Sequence, residues 1–245
     1  MTTATAIGVL PRRFELFDQM LRVFPPGHLA DIGAGPGMFS FRAAQAGWKV
    51  TAIDARSDRF PAHKSGIEWV TGDVRKVPLG GYDVIACLGL FYHLTPEDQV
   101  SLLKRCAGTP IILDTHVDSG ESTHPLSERV KVGRYHGSWY REPGETTSSL
   151  GNEQSFWPTP DSLYQMLRDC GYPVVLAAQP WVKPDRTFFL ALPEGYDLGR
   201  APWTPIPARD EVEVLARTVW RRGRRLAGRV KRRTTRLARS MRPAG

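Results

Sequence analysis

Asp31 stands two residues ahead of three alternating glycines, Gly33, Gly35 and Gly37, in the segment Leu29-Ala-Asp-Ile-Gly-Ala-Gly-Pro-Gly-Met-Phe-Ser40. Glycines in such a row let the main chain pass close to a bound molecule and take dihedral angles closed to other residues. An apolar run leads into the row and a helical pattern leaves it, so the implied device is a strand, a ligand-holding turn and a helix. Dinucleotide sites use the same device with glycines at the first, third and sixth positions. Here the third glycine falls fifth and the sixth position is Met38. A pyrophosphate is also badly served by the nearby Asp31 carboxylate, so a nicotinamide oxidoreductase is disfavoured.

Further carboxylates follow in order. Asp54, next to Ala55, closes a second apolar run about 20 residues after the turn, where a side chain accepts both hydroxyls of a ribose. Asp73 and Val74 follow Gly72 at the end of a third run, and Tyr82–Gly89 is a fourth, ending in Leu88 and Gly89 before the aromatic pair Phe91 and Tyr92. The four together resemble the S-adenosylmethionine (SAM) site of class I methyltransferases. The resemblance covers about residues 27–192. It implies that Asp31 faces the methionine amino group, that Gly33, Ala34 and Gly35 pass under the ribose and methionine, and that Asp73 meets the adenine amino group with Val74 beside the ring. It implies SAM as cofactor, held also by Asp54, Ala55 and Leu88.

The elements that must position these residues are legible from periodicity. Residues 12–24 place Phe14, Phe17, Leu21 and Phe24 on one helical face, ended by Pro25-Pro26-Gly27. Strands are expected at His28–Ile32, Trp48–Asp54, Ile67–Gly72, Tyr82–Gly89, Thr109–His116, Tyr172–Gln179 and Arg186–Leu192, each an apolar run bounded by Gly, Asp or Pro. Helices are expected over about 37–46, from Thr95-Pro96, and from Thr159-Pro160 to Gly171, the last two opened by a Thr cap and Pro at the first helical position. Seven strands alternating with helices imply an α/β class, a largely parallel Rossmann-like sheet covered on both faces. Residues 117–158 form an insertion after the fifth strand, too long for a plain connection. Its Trp139, Tyr140, Phe156 and Trp157 point to an ordered lid.

Methyl transfer from an activated sulfonium chiefly needs alignment and exclusion of water. A sugar hydroxyl also needs a base with a pKa near the working pH, which favours histidine. His116, ending the fifth strand, is the first expectation for that base and His93, after the fourth, is next, because ligands bind at the carboxyl ends of parallel strands. His136 and His124, in the insertion, rank behind them. Asp114 with His116 is weighed as a cation-binding pair that would acidify a hydroxyl, but two scattered ligands do not make a metal site. Tyr92, Trp139, Tyr140 and Trp157 are expected to stack on sugar faces or to pack the lid. The segments Trp-Tyr-Arg-Glu-Pro143 and Ser149-Leu-Gly-Asn-Glu-Gln-Ser-Phe-Trp-Pro-Thr159 resemble bacterial methyltransferases that act with surface-glycan and sugar-modifying enzymes, and more distantly a family that modifies wobble uridines in tRNA. The expected acceptor is a sugar hydroxyl of a glycan or glycosylated metabolite. A tRNA-type RNA methyltransferase and a SAM-binding scaffold without activity are the alternatives.

Charge is unevenly spread. Of 33 Lys and Arg in the 245-residue chain, 12 fall between Arg217 and Arg242, where there is no acid, leaving the remainder with 21 basic against 25 acidic residues. An acidic body disfavours nucleic acid. Val212, Leu215, Val219, Leu226, Val230, Leu237 and Met241 give the basic tail a narrow apolar stripe, interrupted by Gly223 and Gly228. Such a helix reads as a membrane-surface element, a holder of an acidic partner or an oligomer-forming segment. No run approaches a membrane span and no leader is seen at Met1–Leu10, so the expected location is cytoplasmic, peripheral to the inner membrane face if the tail docks there. Cys87, Cys106 and Cys170 lie apart in apolar stretches, which favours buried free thiols. The domain reading is an amphipathic helix at 1–26, a SAM-binding domain at 27–196 and a linker with basic tail at 197–245.

Overall fold

The computed structural model describes residues 3–63, 66–144, 149–178 and 185–197, without side chains for 3–10. Ten strands and four helices follow in chain order among these residues: α1 Thr3–Leu21, β1 His28–Ile32, α2 Met38–Gln45, β2 Lys49–Asp54, β3 Ile67–Thr71, β4 Val84–Leu88, α3 Pro96–Arg105, β5 Ile111–His116, β6 Val130–Val132, β7 Tyr135–Arg141, β8 Gln154–Pro158, α4 Pro160–Asp169, β9 Val174–Ala178 and β10 Arg186–Leu192. Single 3-10 turns occupy Ser57–Arg59 and Phe91–His93. The seven expected sheet strands all form, in the order β3-β2-β1-β4-β5-β10-β9. The first five are parallel, whereas β10 runs antiparallel to both β5 and β9. The basic tail lies outside the described residues.

Side chains alternate across a strand, and the core divides accordingly. Ala30 and Ile32 of β1, with Ile111 and Leu113 of β5, meet Leu102, Leu103, Leu163 and Leu167 of α3 and α4. Leu29, Ile112 and Leu190 turn the other way, onto Phe17, Leu21, Phe39 and Ala43 of α1 and α2. Both Thr caps form: Thr95 accepts from the Asp98 N–H and Thr159 from the Ser162 N–H. Cys87, Cys106 and Cys170 are free and buried.

Two departures from the periodicity reading concern α1 and the insertion. The helix begins at Thr3 and runs through Pro11, which forfeits a backbone donor, and ends at Leu21, where Val23 and Phe24 donate to Met20 and Leu21 in a tighter turn. The insertion is a second, three-stranded antiparallel sheet, β6-β7-β8. Phe156 and Trp157 of β8 are fully buried against the body, and β8 runs directly into the Thr159 cap of α4.

Candidate active site

A cleft of about 280 Å³ opens at the carboxyl ends of β1, β2 and β4. The turn after β1 forms its floor. Gly33, Gly35 and Gly37 all have positive φ, and a Cβ on Gly33 would come within 2.7 Å of Leu90. Gly33 and Ala34 donate their N–H groups to Ile53 O at 2.8 and 3.1 Å, so the turn is pinned to the end of β2. Asp54 accepts the Gly35 N–H at 2.7 Å and the Arg56 N–H at 2.9 Å. Two carboxylates therefore stand on this wall, Asp54 at the end of β2 and Asp73 after β3, where Arg75 holds Asp73 below the usual carboxylate range.

Of the residues singled out for a cofactor, Gly33, Ala34, Asp54, Ala55, Asp73, Val74 and Leu88 line the cleft. Asp31 and Gly35 are not part of its wall. The Asp31 carboxyl is only 2% exposed, accepts from Ser40 Oγ at 2.5 Å, and is pushed up to about 7 by burial.

Of the residues singled out for acceptor chemistry, Tyr92 and His93 line the cleft. Asp114 and His116 do not. Asp114 is fully buried and gripped by two arginines: Arg186 Nε and NH2 at 2.8 and 2.9 Å, and Arg13 Nε at 2.7 Å. Burial would raise this carboxyl, but the two guanidiniums hold it below the ordinary value. His116 Nε2 lies 2.9 Å from Arg186 NH1. Arginine only donates, so Nε2 is the acceptor and the proton of the neutral ring sits on Nδ1. Burial lowers the pKa of His116 to about 4. The ring stacks on Trp157 with centroids 4.5 Å apart. Its acceptor nitrogen is spent on Arg186, and the ring is not part of the cleft wall.

His116, His124 and Asp185 bring three ligand-type atoms within 4.8 Å of one another. The proton on His116 Nδ1 faces Asp185 Oδ1 at 3.8 Å, an electrostatic contact longer than a hydrogen bond. That proton occupies the lone pair a metal would need, so the cluster reads as a neutral ring turned toward the Asp185 carboxylate. The structure does not bring His136, Trp139, Tyr140 or Trp157 to the cleft. His136 is exposed on β7, Trp139 packs edge-on to Phe156, and Tyr140 stacks on Trp157. The Trp157 indole donates to Tyr92 O at 3.2 Å, supporting the turn that carries Tyr92 and His93.

Several cleft residues escaped the sequence reading. Arg13 of α1 and Arg186 of β10 line it, as do Arg59 and Ser149. Glu142, just after β7, lies 2.9 Å from His93 Nδ1 and also accepts from Ser155 Oγ and, at 3.2 Å, from the Ser149 N–H. Only the motif Trp-Tyr-Arg-Glu-Pro143 hinted at it, because 49 residues separate it from its partner.

Comparison with known proteins bears on this cleft. Residues 29–109, from β1 to the turn before β5, match the family model described as a methyltransferase domain. The match spans 81 of the 245 residues. It carries the glycine turn, Asp54 and Asp73. A ubiquinone biosynthesis O-methyltransferase of Bordetella avium (strain 197N) is 30% identical over 110 residues, which are 41% of this chain and 45% of that protein. The chain thus matches a little under half the length of that curated relative. The crystal structure of the N-terminal domain of EvdMO1 with S-adenosylhomocysteine (SAH) bound aligns with a TM-score of 0.59 at 19% identity, over 73% of this chain and 79% of that one. The glycopeptide N-methyltransferase MtfA complexed with SAM aligns at 0.53 and 17%, over 74% and 87%. Fold and family model together support a SAM-dependent methyltransferase domain with SAM as its cofactor. The cleft suits that cofactor: a glycine floor a side chain would block, two carboxylates for ribose and adenine donors, and the Arg13 guanidinium for a carboxylate. Among the described residues no helix is long and apolar enough to cross a membrane.

Proposed function

We propose that the chain is a SAM-dependent O-methyltransferase that acts on a sugar hydroxyl of a glycan or glycosylated metabolite, with His93 as its base. The observation that carries the reading is the cleft in which the glycine turn, Asp54, Asp73 and a histidine share one wall. SAM supplies a methyl on a positive sulfur, so the acceptor oxygen gains the carbon as the sulfur–carbon bond breaks and SAH is left. Asp54 holds ribose hydroxyls and Asp73 the adenine amino group. Gly33 and Ala34 line the ribose and methionine, with Val74 and Leu88 against the adenosine. Asp31, off the cleft wall, anchors the helix behind the glycine turn by accepting from Ser40.

His93 takes the acceptor proton at Nε2, since its Nδ1 is already engaged by Glu142. Tyr92, beside it on the cleft wall, supplies the apolar face on which a sugar ring stacks. Trp139, Tyr140 and Trp157 brace that wall, and the β6-β7-β8 sheet serves as a fixed screen against water. The basic tail brings the domain to an acidic or membrane-borne acceptor.

The test begins with isothermal titration of SAH and, separately, of NAD. The expected result is saturable SAH binding with no NAD binding, weakened at least about tenfold, roughly 1.4 kcal/mol, in Asp54→Ala. Radiolabelled methyl transfer to a panel of sugars, glycosides and amines follows. Labelling of amines alone, or binding of NAD in place of SAH, would overturn the reading.

A further inference from the structure

We propose that Glu142 is a positioning residue for His93, a carboxylate delivered by the inserted sheet that holds the imidazole in the tautomer whose free nitrogen is Nε2. The inference rests on the reading of His93 as the base and adds the group that makes it one.

The Glu142 side chain is 2% exposed, and its ion-pair partner among the described residues is His93, at 16% exposure. Burying a carboxylate is costly unless its oxygens find donors. Here the donors are found. Oε1 accepts from His93 Nδ1 and from Ser155 Oγ, and Oε2 accepts from the Ser149 N–H. Burial favours the neutral acid, yet these donors keep the carboxyl below its ordinary pKa. An ionised carboxylate can only accept, so the proton of the His93 ring must sit on Nδ1 and the lone pair on Nε2.

The same segment grips the backbone of His93. Asn152 Nδ2 donates to His93 O at 3.2 Å, while the Ser149 hydroxyl donates to Asn152 O at 2.5 Å. Glu142 and Asn152 therefore clasp the ring and the main chain of one histidine on the cleft wall. When Nε2 receives the hydroxyl proton, the resulting imidazolium faces the Glu142 carboxylate, which stabilises the charge that forms.

His116 supplies a contrast in the same molecule. Its Nε2 accepts from Arg186, so its free lone pair is spent, and the ring is not part of the cleft wall. The histidine of the turn after β4 and the one that ends β5 differ in role because one is oriented by a carboxylate and the other by a guanidinium.

The test uses full-length protein labelled with 15N-histidine, read by long-range proton–nitrogen correlation with His93→Asn to assign the signal. In the wild type the His93 proton is expected on Nδ1. Glu142→Ala should move it to Nε2, and Glu142→Gln, which keeps an acceptor oxygen, should restore Nδ1. Both variants should bind SAH within about threefold of wild type, a change below 1 kcal/mol. With a hydroxyl acceptor, Glu142→Ala should lower kcat at least about tenfold with KM little changed, and Glu142→Gln should recover part of the loss.

A wild-type His93 protonated on Nε2 overturns the inference without any variant, so a Glu142→Ala that fails to fold does not leave it untested. An unchanged tautomer in a folded, SAH-binding Glu142→Ala overturns it equally. If no hydroxyl is ever methylated while the tautomer shifts as expected, the functional reading fails and the positioning contact stands.

Discussion

Burial makes Asp31 an unusual carboxyl. Its folded pKa of about 7 lies above the ordinary 3.8, so the folded state keeps a proton that the unfolded chain has released. Stability from this group is therefore greatest in acid and falls as pH rises from about 4 to about 7. Asp31→Asn removes the charge, and its stability relative to wild type should improve by about 2 kcal/mol between roughly pH 5 and 8, as read by urea unfolding. A difference that stays flat across that range would show Asp31 to be ionised throughout. At the same scale, His93→Asn should lower kcat for a hydroxyl acceptor by about 100-fold or more, in the range of general-base contributions, while leaving SAH binding unchanged. His116→Asn should act mainly on stability, since burial and Arg186 already occupy its ring. Equal kcat losses in the two variants would sink this division of labour.

Elements decide how these residues meet. The β6-β7-β8 sheet brings Glu142, with Ser155 bonded to it, to His93, and at Gly137 of β7 an added Cβ would come within 2.3 Å of Trp157 O. Gly137→Ala must push β7 from β8, with an expected destabilisation of about 1–3 kcal/mol and loosening of the Glu142 contact. Denaturant unfolding together with the His93 nitrogen signal would check it; a variant as stable as wild type would mean that the two strands separate freely. The Thr95 and Thr159 caps, Pro at the next position and the apolar faces of α3 and α4 all agree with local propensity, which is why periodicity located these helices. The start of α1 escaped it because Pro11 sits inside the helix, against the usual preference.

At the scale of the molecule, Asp114 of β5 joins β10 to α1 through Arg186 and Arg13. Removing it leaves two guanidiniums facing each other with no counter-charge. Asp114→Ala should therefore cost about 3–5 kcal/mol, the scale for breaking a buried ion pair, and less when Arg13 is already Ala. Urea unfolding of the two single variants and the double variant measures the coupling, and strictly additive losses would show that the three side chains do not act as a unit. The glycine turn, the two cleft carboxylates and the seven strands were all legible in the chain, because each depends on residues near one another in sequence and on the period of apolar side chains. The Rossmann-like class followed from their alternation. Which histidine lines the cleft was not legible: His93 closes the turn after β4 and His116 ends β5, both in apolar contexts, and nothing local separates them. Their roles were decided by Glu142 and Arg186, 49 and 70 residues away, since a ring's usable nitrogen is set by the donor or acceptor that folding places against the other one.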